Sequence, residues 1–326
     1  MPDFNEFEIE NGVLIKYKGT AAEVEIPNGI TCIDKRAFTH CKELTSIVIP
    51  NSVTSIGDQA FFVCCSLTNI EIPNSVTSIG DSAFSKCNGL TTINIANGVK
   101  CIGHGAFSEC CELTNIVIPN SVTSIGENAF SCCNKIKSIT LPFIEGLTKE
   151  LAKGALYSSY LNHLFGTGVP AALKTVVLSG GATHIDNGAF SFCCGLKNIT
   201  IPNGVTSIGS YAFKDCSALE TINIPKGVES IGEGAFYGCK GLTSVIIPDS
   251  VKSIGRYAFY DCQNLQKIVI PKSVTKMAKE VFLFNKDLTI YCCAKSKPRG
   301  WDNGWNAKDY AGLHHKHKFI WGYTDD

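Results

Sequence analysis

A phenylalanine returns every 23 residues, and this interval constrains the fold more than any other feature of the chain. It stands at Phe38, Phe61, Phe84, Phe107 and Phe130, then at Phe190, Phe213, Phe236, Phe259 and Phe282, with a single irregular step of 60. The same apolar pattern surrounds each one. One copy reads Leu67-Thr-Asn-Ile70-Glu-Ile72-Pro73-Asn-Ser-Val76-Thr-Ser-Ile79-Gly80-Asp-Ser-Ala83-Phe84-Ser-Lys-Cys87. A unit this short cannot bury its Leu, Ile, Val and Phe alone. Stacked copies can, because each apolar position becomes a column and the strands join into a parallel sheet. The expected fold is a repeat solenoid, a β-rich right-handed coil of ten 23-residue turns.

Within a copy, Leu-x-x-Ile-x-Ile reads as a strand, ended by a proline that recurs at Pro50, Pro73, Pro119, Pro142, Pro202, Pro225, Pro248 and Pro271. Val-x-x-Ile-Gly reads as a second short extended stretch, with glycine permitting the next corner. Ala-Phe is then expected to pack inward through one helical or 3₁₀ turn. The step of 60 leaves 37 extra residues. There Thr148-Lys-Glu-Leu151 opens an expected helix, with Leu147, Leu151, Leu156, Tyr160 and Leu164 on one apolar face and Gly166, Gly168 and Pro170 ending it. Such a helix either packs on the flank of the solenoid or serves as a lateral recognition element. The expected organisation is an N-terminal cap over 1–24, repeats 1–5 over 25–142, a helical insertion over 143–172, repeats 6–10 over 173–293 and a C-terminal cap over 294–326.

Seventeen cysteines suggest a disulfide framework until their spacing is considered. Nine of them (Cys41, Cys64, Cys87, Cys110, Cys133, Cys193, Cys216, Cys239 and Cys262) fall three residues after the landmark Phe, and the tenth copy has Asn285 there. Equivalent positions of stacked coils sit roughly 4.8 Å apart, within reach of a disulfide. An in-register column nevertheless points its side chains in parallel, and asparagine replaces cysteine in it. A buried thiol or amide bonding the turn backbone accounts for both facts, so free thiols are expected. So many of them suit a reducing or oxygen-poor setting.

Charge and motifs narrow the function. Lys plus Arg and Asp plus Glu both number 29, which removes the electrostatic reason to expect nucleic acid or an anionic membrane as partner. No apolar run approaches a membrane span. The opening Met1–Glu10 is acidic and polar, unlike a signal peptide. The chain has no GxGxxG, Walker, GxSxG, HExxH or CxxC pattern. His314, His315 and His317, with Cys292 and Cys293, match no familiar zinc spacing and are expected to be cap loop. A Cys101–His104 dyad is weaker still, because Cys101 replaces a repeat-position serine. No catalytic, cofactor-binding or metal-binding residue is assigned.

The pattern LxxIxIPxxVxxIGxxAFxxC, over residues 25–142 and 173–293, resembles the BspA-like (Treponema-type) leucine-rich repeat family. Phe7-Glu-Ile-Glu-Asn-Gly-Val13-Leu-Ile-Lys-Tyr17 looks like that family's N-terminal cap strand. Lys297-Pro-Arg-Gly-Trp301-Asp-Asn-Gly-Trp305-Asn and Trp321-Gly322 look like its C-terminal cap. The resemblance implies a surface-exposed or secreted adhesion-type protein of a host-associated microbe with no catalytic residues. Two departures stand out: the absence of an export signal and the excess of cysteine. Together they leave localisation open between the cell surface and, for a complete chain, the cytoplasm.

The expected function is therefore protein binding by a non-catalytic, adhesion-type module, with carbohydrate binding as the alternative and a monomer as the expected state. Two surfaces are candidates besides the insertion. The outward residue of each long strand reads Val48, Glu71, Asn94, Val117, Thr140, Val177, Thr200, Asn223, Ile246 and Val269, a face with few aromatics on which a sugar could stack. Glu71, Asn94, Thr140, Thr200 and Asn223 are its polar candidates. The other surface is aromatic. Tyr237 and Tyr260 share the position after the landmark Phe, and Tyr211 and Tyr257 the position two before it, where the first block carries mostly small or polar residues. Tyrosine is enriched among residues that dominate binding energy.

Overall fold

A computed structural model describes residues 4–144, 159–166, 168–306 and 317–324. The chain is a parallel β-solenoid with almost no helix among the described residues, divided into two units: Met1–Ile144 with Leu161–Leu173, and Glu145–Tyr160 with Lys174–Asp326. Long and short strands stack separately. In the first unit the short strands Cys32–Ile33, Ser55–Ile56, Ser78–Ile79, Cys101–Ile102 and Ser124–Ile125 form one sheet, which Val13–Tyr17 and the antiparallel Phe7–Glu10 extend. Ile56 pairs with Ile79 and Ile79 with Ile102, so the 23-residue period is the sheet register. The second unit repeats this with Ser207–Ile208, Ser230–Ile231 and Ser253–Ile254.

The landmark rings form the core. Phe38, Phe61, Phe84, Phe107 and Phe130 stack with centroids 4.9–5.4 Å apart and planes within 9°. Phe190, Phe213, Phe236, Phe259 and Phe282 do the same at 5.2–5.8 Å. All ten are fully buried. Each burial is worth roughly 1.5–3 kcal/mol, to which stacking adds about 0.5–1.5 kcal/mol.

The turn that carries these rings is not helical. Around Phe84 the amides alternate. Ala83, Ser85 and Cys87 close β-turns onto Gly80, Ser82 and Phe84, while Phe84 and Lys86 cross to Ala106 and Ser108 of the next coil at 2.7 and 2.8 Å. Ser82 (φ 54°) and Lys86 (φ 63°) are left-handed, which reverses alternate amides. A helix points every N–H the same way along its axis and could not stitch one coil to the next.

The corner glycines also have a different reason from the one expected. Gly57, Gly80, Gly103 and Gly126 are not left-handed. A Cβ there would meet the main-chain nitrogen of Lys35, Asp58, Asp81 or His104 in the preceding coil at 2.4–2.7 Å. Close approach of the backbones excludes a side chain. The first coil of each repeat block has Asp34 or Asp186 at this position, where no complete coil precedes, and the last has Ala278.

The cysteine column hydrogen-bonds the turn. Cys64, Cys87, Cys110 and Cys133 donate their thiols to the carbonyls of Phe38, Phe61, Phe84 and Phe107 at 3.1–3.2 Å. Cys216, Cys239 and Cys262 repeat the contact at 3.0–3.2 Å. Asn285 donates its Nδ2 to Phe259 at 2.8 Å, and its Oδ1 accepts the Cys262 N–H at 2.7 Å. All seventeen cysteines are free thiols. Burial pushes the Cys133 thiol up to about 12.

Both units complete this column with substitutes. Tyr17 stacks on Phe38 at 5.2 Å and donates its N–H to the Ala37 carbonyl, as Phe38, Phe61, Phe84 and Phe107 do to the Ala of the next coil. Trp305 meets Phe282 edge-on at 6.3 Å and accepts the Val281 N–H, while Trp301 Nε1 donates to the Val274 carbonyl at 2.9 Å. Of the insertion, Tyr160–Phe165 is helical; the expected helix start over 148–158, with Leu147, lies outside the described residues. In the first unit Phe165 covers Phe130, and the carbonyls of His163 and Leu164 accept the N–H groups of Asn128 and Phe130 at 2.7 and 2.9 Å. In the second unit Tyr160 rests on Phe190 and donates its N–H to Ala189. Phe165 therefore stands in the Phe column of the first unit and Tyr160 in that of the second.

Candidate functional site

The sheet-face candidates project as the strand alternation requires. Glu71 pairs with Asn94 in register, Thr140 with Val117, Thr200 with Val177, and Asn223 with Ile246. Glu71, Asn94, Thr200 and Asn223 are exposed and Thr140 is half-buried. Val48, Val117 and Ile246 stand out among them at 56%, 61% and 77% exposure, so the face offers scattered apolar residues rather than one patch. The threonines beside it serve the fold: Thr68 and Thr91 donate their hydroxyls to the carbonyls of Thr45 and Thr68, one coil back.

The tyrosines of the second unit do converge. Tyr237 and Tyr260 stack at 4.4 Å with planes 8° apart. Tyr257 meets Tyr260 edge-on at 5.4 Å, and Phe284 does so from the following coil at 5.0 Å. Tyr211 lies beside them through a neighbour without a side chain: a Cβ on Gly234 would fall 2.3 Å from its ring. Two cations sit on this aromatic edge. Lys214 Nζ is 5.1–5.9 Å from the ring centroids of Phe192, Tyr211 and Tyr237. The Arg256 guanidinium is 4.3 Å from the Tyr257 centroid and is held by Glu280 at 2.6 Å. Such contacts are worth about 0.5–1 kcal/mol at exposed sites.

Burial and neighbouring groups raise two of the phenols. Tyr211 donates to Glu233 at 2.9 Å, and partial burial, then that carboxylate, push it up to about 12. Partial burial and the neighbouring Tyr237 raise Tyr260 to about 12 as well. Tyr211 and Tyr257 also carry backbone strain, with φ of 56° and 58° where other coils place Gly105, Gly188 or Gly234. A left-handed non-glycine residue costs roughly 1–2 kcal/mol. Phe192, Phe284, Lys214 and Arg256 were missed by sequence reasoning. The two phenylalanines share one column, two residues after the landmark, and comparing that column across coils would have found them.

The remaining candidates are dispersed. Cys101 lies in the serine column of the short strands, between Ser78 and Ser124. His314 and His315 lie outside the described residues. Among the described residues, no group of three or more His, Cys, Asp or Glu could hold a metal ion. No helix there is long and apolar enough to cross a membrane.

The coil geometry has a counterpart in known sequences. The chain matches the BspA type leucine-rich repeat region (6 copies) over residues 9–137, 59–167 and 170–293. It belongs to that family. Among solved structures it is similar to a leucine-rich repeat protein from Bacteroides ovatus ATCC 8483, at 24% identity over 88% of this chain and 97% of that one, with a TM-score of 0.36. A leucine-rich cell surface protein from Faecalibacterium prausnitzii A2-165 is 26% identical over 92% and 94% of the two chains, with a TM-score of 0.37. The leucine-rich repeat protein of T. pallidum is 26% identical over 67% and 90%, with a TM-score of 0.45. No curated protein matches. Membership of the BspA-type family accounts for the repeated columns, while the aromatic edge occupies positions that vary from coil to coil within this chain.

Proposed function

We propose that the chain is a non-catalytic protein-binding module whose aromatic edge in the second unit anchors a protein partner. The observation that carries this reading is the convergence of Tyr211, Tyr237, Tyr257 and Tyr260 with Lys214 and Arg256 on one edge, while the sheet face shows only scattered apolar residues. Tyrosine and arginine dominate binding energy, whereas threonine and valine contribute little. The sheet face orients the partner through small polar contacts at Glu71, Asn94, Thr140, Thr200 and Asn223. Adhesion at a microbial surface is the setting in which such a module would work.

The test is capture from host-cell lysate and matrix proteins by the wild type and by the Tyr237→Ser, Tyr260→Ser double variant, with a glycan array beside it. Serine is what Ser85, Ser108 and Ser131 supply at this position in earlier coils, so the variant folds. The expected result is a protein captured by the wild type and lost, or weakened at least about tenfold, by the variant; two anchors worth more than about 1 kcal/mol each account for that loss. A partner held equally by both would move the site to the sheet or the insertion. Saturable glycan binding without a protein partner would favour the carbohydrate alternative.

A further inference from the structure

The two ends of the chain carry opposite charge, which its overall neutrality conceals. Over residues 1–25 six Asp and Glu stand against two Lys, a net of −4. Over residues 265–326 eleven Lys and Arg stand against six Asp and Glu, a net of +5. The stretch between holds sixteen Lys and Arg and seventeen Asp and Glu, so the imbalance belongs to the ends.

Each end also presents a strand with a single neighbour. In the first unit Glu23–Glu25 pairs with Ser46–Val48 alone. In the second, the five-stranded sheet finishes on Lys318–Trp321, which pairs with Thr289–Cys292 alone. No further coil lies beyond either strand among the described residues, so each leaves one row of main-chain groups open. Glu23 and Glu25 are exposed on the first edge and Lys318 on the second. None of the three makes an ion pair among the described residues.

Charges of this kind guard an edge against its own copy. Two Glu23–Glu25 edges repel each other, and so do two Lys318 edges. They do not guard the acidic edge against the basic one. The fold already supplies the register for that meeting. Glu23 pairs with Ser46, and Thr289 with both Lys267 and Lys318, all in one repeat column of the long strands. A parallel strand added in this register sets Lys318 opposite Glu23 and Phe319 opposite Val24.

We infer that copies of this chain associate head to tail, the Lys318–Trp321 strand of one adding in parallel to the Glu23–Glu25 strand of another, with Lys318 paired to Glu23. The contact is heterologous and leaves a free end on each side, so association continues past the dimer. It uses neither the tyrosine edge nor the sheet-face residues given to the partner, so its failure leaves the proposed function standing. A monomer, the state expected from the sequence, is the competing outcome.

Sedimentation velocity of the full chain, in reductant to prevent disulfide exchange, tests this at rising protein concentration. The runs use about 0.01 M and about 1 M salt, where the Debye length is roughly 30 Å and roughly 3 Å. The sedimentation coefficient should climb with concentration in low salt and stay constant in high salt. Lys318→Glu makes both edges acidic, and Glu23→Lys with Glu25→Lys makes both basic. Each variant alone should weaken association roughly tenfold, because an attractive cross-strand pair becomes a repulsive one. Mixed in equal amounts the two should associate again, since every acidic edge then meets a basic one. A chain that stays monomeric in low salt, association that persists unchanged in high salt, or a mixture no more associated than its parts would each overturn the inference.

Discussion

Cysteine and asparagine exchange at one position of this chain because both place a hydrogen-bond donor against the same carbonyl. The thiol of Cys239 reaches Phe213 at 3.0 Å, and the amide of Asn285 reaches Phe259 at 2.8 Å. Asparagine adds a second bond, from the backbone N–H one coil back to its Oδ1. Cys239→Ala loses the bond and leaves a small void, at a cost of about 1–2 kcal/mol. Cys239→Asn should lose clearly less, because it restores the donor. Urea midpoints of the two variants measure the difference, and equal losses would show that volume rather than hydrogen bonding decides the position. This column was legible in the sequence because Asn285 breaks it in a chemically informative way. What could not be read was which carbonyl receives the thiol, since that depends on a turn geometry that spacing alone does not specify.

The turn and the corner glycine show where sequence reasoning stopped at the level of the element. A six-residue stretch holding Ala-Phe suits a helical turn as well as a run of β-turns, and the choice is made by the neighbouring coil, which offers carbonyls to alternate amides. The glycine was visible, but its reason was not. Conformational freedom and close approach both demand glycine, and only the 2.6 Å gap between a Cβ on Gly103 and the Asp81 nitrogen separates them. Gly103→Ala should therefore destabilise by about 1–3 kcal/mol through overpacking against rigid backbone, although alanine is ordinarily the easier residue to order. Thermal unfolding decides the sign: a raised midpoint would mean that backbone entropy governs the corner. The aromatic edge was only partly legible, for a similar reason. Its tyrosines stood at matching repeat positions, whereas Lys214 and Arg256 joined them through side-chain reach across coils.

For the whole molecule, a stack of identical coils needs ends unlike its middle. Trp301, Trp305 and Phe319 close the Phe282 end, with Trp301 and Trp305 buried. Removing residues 294–326 would uncover that ring and the edge of the Thr289–Cys292 strand, so the truncated chain should associate or precipitate. Size-exclusion chromatography with light scattering checks this, and a soluble, fully folded monomer would show that the cap is dispensable. The register of the Phe column has a mechanical consequence as well. Each coil is bound chiefly to its two neighbours, so a molecule stretched from its ends should yield by shedding coils in succession. Each coil contains 23 residues, and its release lengthens the chain by about 75 Å once the folded rise is subtracted. Under an optical trap, force against extension should therefore climb and drop in evenly spaced teeth: the period first seen as phenylalanines in the sequence, read out as length.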